Sequence, residues 1–308
     1  MNSPVIAHAQ EGPQEFAFTD AHFDLLRKLV GKYAGISLNE TKRQLVYGRL
    51  ARRIRAMNLS GFDAYCDLVR DEASTEVENF INAITTNLTS FFRENHHFEC
   101  LAQQVVPMLL KTNAASRRIR VWSAGCSTGE EPYSIAMTLL EALGNNSGWD
   151  VKVLATDIDS NVVATAAAGI YPTNRQQGLG EARLKRWFTT AGGGPGNLRL
   201  KDEVRSLIRF APLNLMEQWP FKGPFDVIFC RNVAIYFDKP TQSRLWARFA
   251  ELLTPEGHLC IGHSERVAGP AEQMLRPVGV TAYRRQSSGE MPPATSNFPT
   301  IQEEGTRS

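Results

Sequence analysis

Two hydrophobic periods divide this chain. From Thr19 to Lys111 apolar residues recur at helical spacing, and beyond Ile119 short apolar runs alternate with amphipathic stretches. In the first part, Thr19 or Asp20 can cap a helix bearing Phe23, Leu26, Leu29, Val30 and Tyr33, which Gly35 ends. A basic helix follows, with Leu45, Leu50 and Ile54 as its apolar members. Ser60 is placed to cap a short helix with Phe62, Tyr65 and Leu68. Thr75 and Glu78 read as a capping box ahead of Val77, Phe80, Ile81, Ile84 and Leu88. These elements predict a small all-helical domain over residues 16–90. The segment NLTSFFR (87–93) leads out of it, and a helix from about 95 to 111 leads onward.

The second part, 91–285, reads as strand, helix, strand. A strand at 119–123 precedes a helix with Pro132 in its first turn and Gly144 at its end. A strand at 151–156 precedes a helix capped by Asp159 and stopped at Gly169. Residues 170–206 break the rhythm with polar and apolar alternations around AGGGPGN, which predicts a small antiparallel β insertion with a flexible loop. A strand at 207–211, the apolar run PFDVIFC, a helix begun by Pro240, and strands in HLCIG and GVTAYRR complete the pattern. The alternation predicts an α/β fold, with a parallel sheet covered by helices on both faces. Residues 1–15 and 286–308 are polar and expected to be disordered.

Composition narrows the class. A chain of 308 residues, 43% hydrophobic and 21% charged, suits about two soluble globular domains. No apolar run approaches the ~20 residues of a membrane span, and the first residues lack the basic start and apolar stretch of a signal peptide. The five cysteines are scattered without CxxC or zinc spacing. They read as packed free thiols in a reducing cytoplasm, and no metal site is expected. Net charge is only +2, yet Lys42, Arg43, Arg49, Arg52, Arg53 and Arg55 fall between Thr41 and Ser60 with no acid among them. That local field favours an anionic partner surface. No heptad or long apolar stripe argues for association, so a monomer is expected.

The candidate chemistry begins at IRVWSAGCSTGEEPY (119–133). An apolar strand enters a small-residue turn, and an acidic pair with a proline opens a helix. Gly125 and Gly129 allow a tight backbone and close approach of a ligand. The dinucleotide pattern GxGxxG is missing. Glu130 and Glu131 would repel phosphate at that helix start. The next strand ends in Asp157, an acid suited to ribose hydroxyls. A ligand with ribose, a cation and no phosphate fits, and S-adenosylmethionine is one. In open α/β sheets ligands sit beyond the carboxyl ends of the strands. Those ends carry Ala124 to Gly129, Asp157, Asn214 with Leu215, and Arg231, Asn232 and Tyr236. Asn214 and Asn232 read either as turn residues or as groups facing an adenine edge or an amino-acid moiety.

The series NLTSFFR, WSAGCSTGEEPYS, ATDID, FAPLNL and FCRNVAIYFD, behind a basic helical domain, resembles the CheR-type chemoreceptor glutamate methyltransferases over roughly residues 16–285. The resemblance implies a Rossmann-like S-adenosylmethionine methyltransferase sheet, with S-adenosylhomocysteine as the product. It implies that Asn87, Thr89 and Arg93 close over the cofactor and that Glu131 lies at its methionine end. Asp157 would bind ribose, Asn214 and Leu215 would line the adenine, and Arg231 with Asn232 would complete the floor. Arg93 and Tyr236 would lie next to the transferable methyl. Arg49, Arg52, Arg53 and Arg55 would dock the cytoplasmic helix of a chemoreceptor. The 170–206 insertion would resemble the element that in some members binds a peptide at the receptor's C-terminus. Ala234 departs from the pattern, which has a larger aliphatic residue there.

Carboxylate methylation suits these residues. A glutamate side chain, with an ordinary pKa near 4.3, is ionised at neutral pH and needs no general base. Arg93 could pair with it through a planar fork, and Tyr236 could orient the acceptor or donor. His96 and His97 read as helix-end polar residues, His263 as a loop hydrogen-bonder, and Trp122, Trp187, Trp219 and Trp246 as packing residues. Two other readings compete. A nucleic-acid methyltransferase would want several aromatic residues interleaved with the bases, and Tyr47 alone stands among them. A catalytically silent module that senses cofactor or docks receptors would not need Arg93, Asp157, Asn232 and Tyr236 intact.

Overall fold

A computed structural model describes residues 15–144, 148–175, 178–191 and 196–287. The expectations for residues 1–14, for the glycine-rich run 192–195 and for the tail from 288 fall outside these. Among the described residues no helix is long and apolar enough to cross a membrane.

The N-terminal unit packs α1 (Asp20–Ala34), α2 (Arg43–Ala56), α3 (Phe62–Arg70) and α4 (Glu76–Ile84) around one core. Phe23, Leu26, Val30, Val46, Leu50, Ile54, Phe62, Tyr65, Val69, Phe80 and Ile84 fill it. Thr19 caps α1 through the His22 amide, and Gly35 ends it at φ 70°. Two expected caps do not form. Gly61 rather than Ser60 precedes α3. The Thr75–Glu78 box is replaced by Ser74, whose hydroxyl accepts from the Glu76 amide, while Glu78 turns to Ser160. Leu88 lies beyond the end of α4 and is 80% exposed.

A helical run of α5 (His96–Cys100), a π-helical turn and α6 (Val106–Thr112) leads to a seven-stranded sheet. Its elements are β1 (Arg118–Ala124), α7 (Glu130–Leu143), β2 (Asp150–Asp157), α8 (Ser160–Ala168), then the insertion. The insertion holds β3 (Ile170–Pro172), α9 (Glu181–Trp187), β4 (Phe188–Thr190), β5 (Asn197–Leu200) and α10 (Asp202–Arg205). Its antiparallel three-stranded sheet runs β3-β5-β4. The chain returns through β6 (Ile208–Pro212), β7 (Phe225–Cys230), α11 (Lys239–Leu252), β8 (Leu253–Ile261), β9 (Leu275–Gly279) and β10 (Ala282–Arg285).

Strand order is β6-β2-β1-β7-β8-β10-β9, parallel except for β10, which is antiparallel to both neighbours. The order reverses between β1 and β7, so the binding crevice of such a sheet opens above Ala124 and Cys230. All six residues of β7 are buried, as a central strand requires. One face packs on α5 to α7 and the insertion, the other on α11, where Trp122 meets Trp219, Phe221 and Phe249 edge-on.

The helical unit is fastened across the crevice. The Ser37 amide donates to the Tyr236 carbonyl (2.7 Å), Ile36 bridges Phe237, and Asn214 Nδ2 donates to the Tyr33 carbonyl (2.7 Å). Asp159 Oδ2 accepts from Thr85 Oγ1 (3.0 Å) and Asn87 Nδ2 (2.8 Å), which ties the 85–87 linker to the start of α8.

Candidate active site

The turn after β1 is shaped by its own backbone. Gly125 and Gly129 adopt φ 92° and 98°, and Ser127 adopts 49°. A Cβ on Gly125 would lie 2.3 Å from Val233, and one on Gly129 would lie 2.7 Å from the Tyr171 hydroxyl. These glycines clear space for neighbouring side chains, and Gly125 also lines the cavity at the strand ends. The turn aims the Ser127 amide at Asp157 Oδ2 (2.8 Å), while Oδ1 accepts from the Asp159 amide (3.1 Å). Burial pushes the Asp157 carboxyl up, and these two backbone donors hold it down.

A cavity of about 360 Å³ lies where the two units meet. Asn87, Thr89, Arg93, Glu131, Asp157, Asn214, Leu215, Arg231, Asn232 and Tyr236 all line it. Sequence reasoning missed its other walls. Ile158 follows Asp157 directly, and an apolar residue after a strand-end acid was a readable signal. Leu38, Lys42 and Leu45 come from the helical unit, and no local pattern marks them.

The lining residues are not equally free. Asn214 has both amide hydrogens committed, to Tyr33 and Glu217, and its Oδ1 accepts from the Met216 amide. Its amide nitrogen is therefore a fastener between the two units. Asn87 Nδ2 is likewise held by Asp159, and its carbonyl accepts from Ser127 Oγ (3.2 Å). Arg93 donates Nη1 to the Leu88 carbonyl (2.9 Å), which leaves its other donors toward the cavity. Tyr236 is half-buried. Burial pushes its phenol up, against the pull of Arg93 and Arg49, so at neutral pH it is a hydroxyl donor.

Beneath the cavity, buried Arg231 joins two acids. Nη1 donates to Glu131 Oε2 (3.0 Å), Nη2 lies 3.3 Å from Glu94 Oε2, and Nη2 also donates to the Arg93 carbonyl. Ser123 Oγ donates to Glu131 Oε1 (2.7 Å). Burial pushes Glu131 up and Arg231 pulls it down. Burial also acts on Glu94, but His263 and Arg231 override it and hold the carboxyl at about 2. His263 thus sits on Glu94 (3.0 Å) as a loop hydrogen-bonder. Glu94, His96 and His97 could offer ligand atoms within 4.8 Å of one another, and Arg231 Nη2 forms an ion pair with the Glu94 carboxylate of that group.

His97 gives a first expected result. Burial, with Arg231 and His96 adding to it, holds the imidazole down at about 3, so the folded protein keeps it neutral. An unfolded imidazole binds a proton near 6.5. Between those values the unfolded state holds the extra proton, so stability is expected to fall as pH drops from about 6.5 toward 3. The slope is up to ~1.4 kcal/mol per pH unit for this one group. Urea unfolding at stepped pH checks it, and a His97→Gln variant should show the shallower slope.

The docking arginines need correction. Arg49 is half-buried and donates to the carbonyls of Ala83 and Ile84 (3.2 and 2.7 Å), bracing α2 against the end of α4. Arg53 forms a fork on buried Glu76 (2.9 and 2.6 Å), which Tyr65 also reaches. Both guanidinium groups are engaged within the helical unit. Arg55 pairs with Glu15 at the surface, and exposed Arg52 bonds the Gly48 carbonyl (3.3 Å).

Residues 87–284 match the family described as CheR methyltransferase, SAM binding domain, and residues 21–85 match the CheR methyltransferase all-alpha domain. The chain belongs to the CheR methyltransferase family. The methyltransferase is 50% identical over 258 residues to a probable chemotaxis protein methyltransferase of Rhizobium etli, covering 83% of this chain and 96% of that one. Chemotaxis protein methyltransferase 2 of Pseudomonas aeruginosa is 47% identical over 275 residues, covering 88% and 95%. The chemotaxis protein methyltransferase of Escherichia coli is 47% identical over 257 residues, covering 82% and 86%.

S-adenosylmethionine is the methyltransferase's cofactor, and the cavity suits it. Its volume falls within the ~300–1,000 Å³ of small-molecule sites. Its carboxylates, Asp157 and Glu131, match hydroxyl and cationic groups. Arg231 Nε, buried there without a partner, is a donor still to be satisfied.

Proposed function

We propose that this methyltransferase esterifies glutamate side chains on the cytoplasmic helices of chemoreceptors, as an adaptation step in chemotaxis. The observation that carries this reading is the cavity's two-sided construction. The sheet edge supplies acids for a cationic cofactor together with Tyr236, and the helical unit and the linker supply Lys42 and Arg93 for an anionic acceptor. When bound, S-adenosylmethionine would supply an activated methyl on a sulfonium: a carboxylate oxygen would form the O–CH3 bond as the S–CH3 bond breaks and S-adenosylhomocysteine leaves as a neutral thioether, without a proton transfer.

Each residue then has a binding or orienting task. Asp157 accepts from ribose hydroxyls with the lone pairs its backbone donors leave free. Glu131 and Arg231 present one hydrogen-bonded polar surface at the methionine end. Leu215 and Ile158 give apolar walls. Arg93 meets the incoming carboxylate with the donors not used by Leu88. The pair must stay loose, because a tight ion pair would quiet the nucleophile. Neutral Tyr236 donates to the acceptor or holds the donor in line. Alignment of this kind contributes several of the ~7–11 kcal/mol available from good reactant geometry.

Methyl-labelled cofactor with receptor cytoplasmic fragments is expected to place base-labile label on glutamate. A folded enzyme that binds S-adenosylhomocysteine but transfers nothing would favour the silent module and end this reading. Docking is assigned to Arg52, with Arg55 once it leaves Glu15. Charge reversal at Arg52 is expected to raise the acceptor KM about fivefold at low salt, in line with ~1 kcal/mol for a rim charge. Cofactor affinity should be unchanged, and high salt should erase the difference.

A further inference from the structure

Glu265 belongs to none of the motifs that mark the cavity, yet it organises the 231–236 loop, which carries five of its lining residues. The side chain is buried. Oε1 accepts from the backbone N–H of Val233 (3.0 Å) and Ile235 (3.2 Å), and Oε2 from those of Asn232 (3.0 Å) and Gly262 (2.6 Å). One carboxylate thus gathers four main-chain donors from the loops after β7 and β8. A buried charge of this kind is tolerated because backbone dipoles fill its lone pairs.

The 231–236 segment needs such an acceptor. It follows a central strand, so no ladder takes its N–H groups, and buried donors must be satisfied. Asn232 sits at φ 58°, the left-handed region that asparagine tolerates better than most L residues and that hydrogen bonds from its surroundings fix here. Gly262 closes the arrangement from the other side. A Cβ there would lie 2.5 Å from Asn232 Nδ2 and 2.8 Å from its backbone N.

We propose that Glu265 is a positioning residue for methyl transfer, its carboxylate setting the 231–236 loop so that Asn232 and Tyr236 face the cofactor cavity together. The effect on cofactor binding stands on the cavity alone. The effect on turnover rests on the role proposed for Tyr236.

The experiment is calorimetry of the full chain with S-adenosylhomocysteine, paired with steady-state methylation. Glu265→Gln turns an amide toward backbone donors. It is expected to raise Kd about tenfold or more and to lower kcat by a similar factor, with acceptor KM unchanged. Val69→Ala, in the helical core and away from the cavity, is the matched control. It should lose comparable Tm and keep wild-type affinity. Should Glu265→Gln fail to fold, Gly262→Ala pushes on Asn232 from the opposite side and is expected to weaken binding in the same way. A variant Kd within about twofold of wild type, or a loss no larger than that of Val69→Ala, overturns the proposal. Weakened cofactor binding alongside a wild-type enzyme that methylates no receptor would instead sink the receptor reading and leave this one standing.

Discussion

Methionine in place of Arg231 is expected to destabilise the protein by about 3–5 kcal/mol, the usual result of removing one member of a buried charged group. For a chain of this size that is a Tm loss of roughly 5–8 °C. The Arg231 side chain is 2% exposed and faces Glu131 and Glu94 at 3.0 and 3.3 Å, with Phe98 beneath the guanidinium. Without it two carboxylates face each other with little water to separate them. Glu94, now held at about 2, would move up, and Glu131 further up. The Arg93 carbonyl would also lose its donor, so the proposed acceptor-binding arginine would loosen at its own backbone. Adding Glu131→Gln to the methionine variant should recover part of the stability, because one stranded charge is removed. Thermal melts and urea midpoints of the single and double variants give the measurement. A single-variant loss below about 1 kcal/mol would mean that water takes over the guanidinium's role and that the group is not a hub.

The parts of this molecule that could be read from sequence are those whose physics is local. PFDVIFC is apolar at nearly every position and became the fully buried β7. Asp157 and Arg231 stand at strand ends, and a parallel sheet brings strand ends to one rim whatever the details of packing. Elements without a clear period were missed. Helix α9 is seven residues long and buries only Trp187, and β9 carries Pro277 at the sheet's edge, where a missing donor is tolerated. Charge was the least legible property. Arg49, Arg52, Arg53 and Arg55 look alike along the chain, and only tertiary neighbours separate the brace and the Glu76 fork from the exposed cation. Glu265 was passed over for the same reason, since a glutamate in a loop reads as solvated until four amides are found on it.

Alanine at Asp157 is expected to weaken S-adenosylhomocysteine binding about 100-fold. Hydrogen bonds to a charged acceptor contribute ~1.5–3 kcal/mol each, and about 1.4 kcal/mol is a factor of ten. The carboxylate is buried and pre-aimed by the Ser127 and Asp159 amides, so it loses little freedom on accepting ligand hydroxyls. Part of the loss would come through the protein, because the Ser127 amide would have no acceptor while its residue stays at φ 49°. Asparagine keeps the shape and one acceptor oxygen, so it should cost only about tenfold. The two contributions separate in a cycle with a 2′,3′-dideoxy analogue of the ligand. If Asp157 acts mainly on ribose, alanine weakens the analogue much less than it weakens the parent ligand. If Asp157 only braces the turn, alanine weakens the analogue as much as it weakens the parent ligand, and the assignment of this acid to the ribose is wrong.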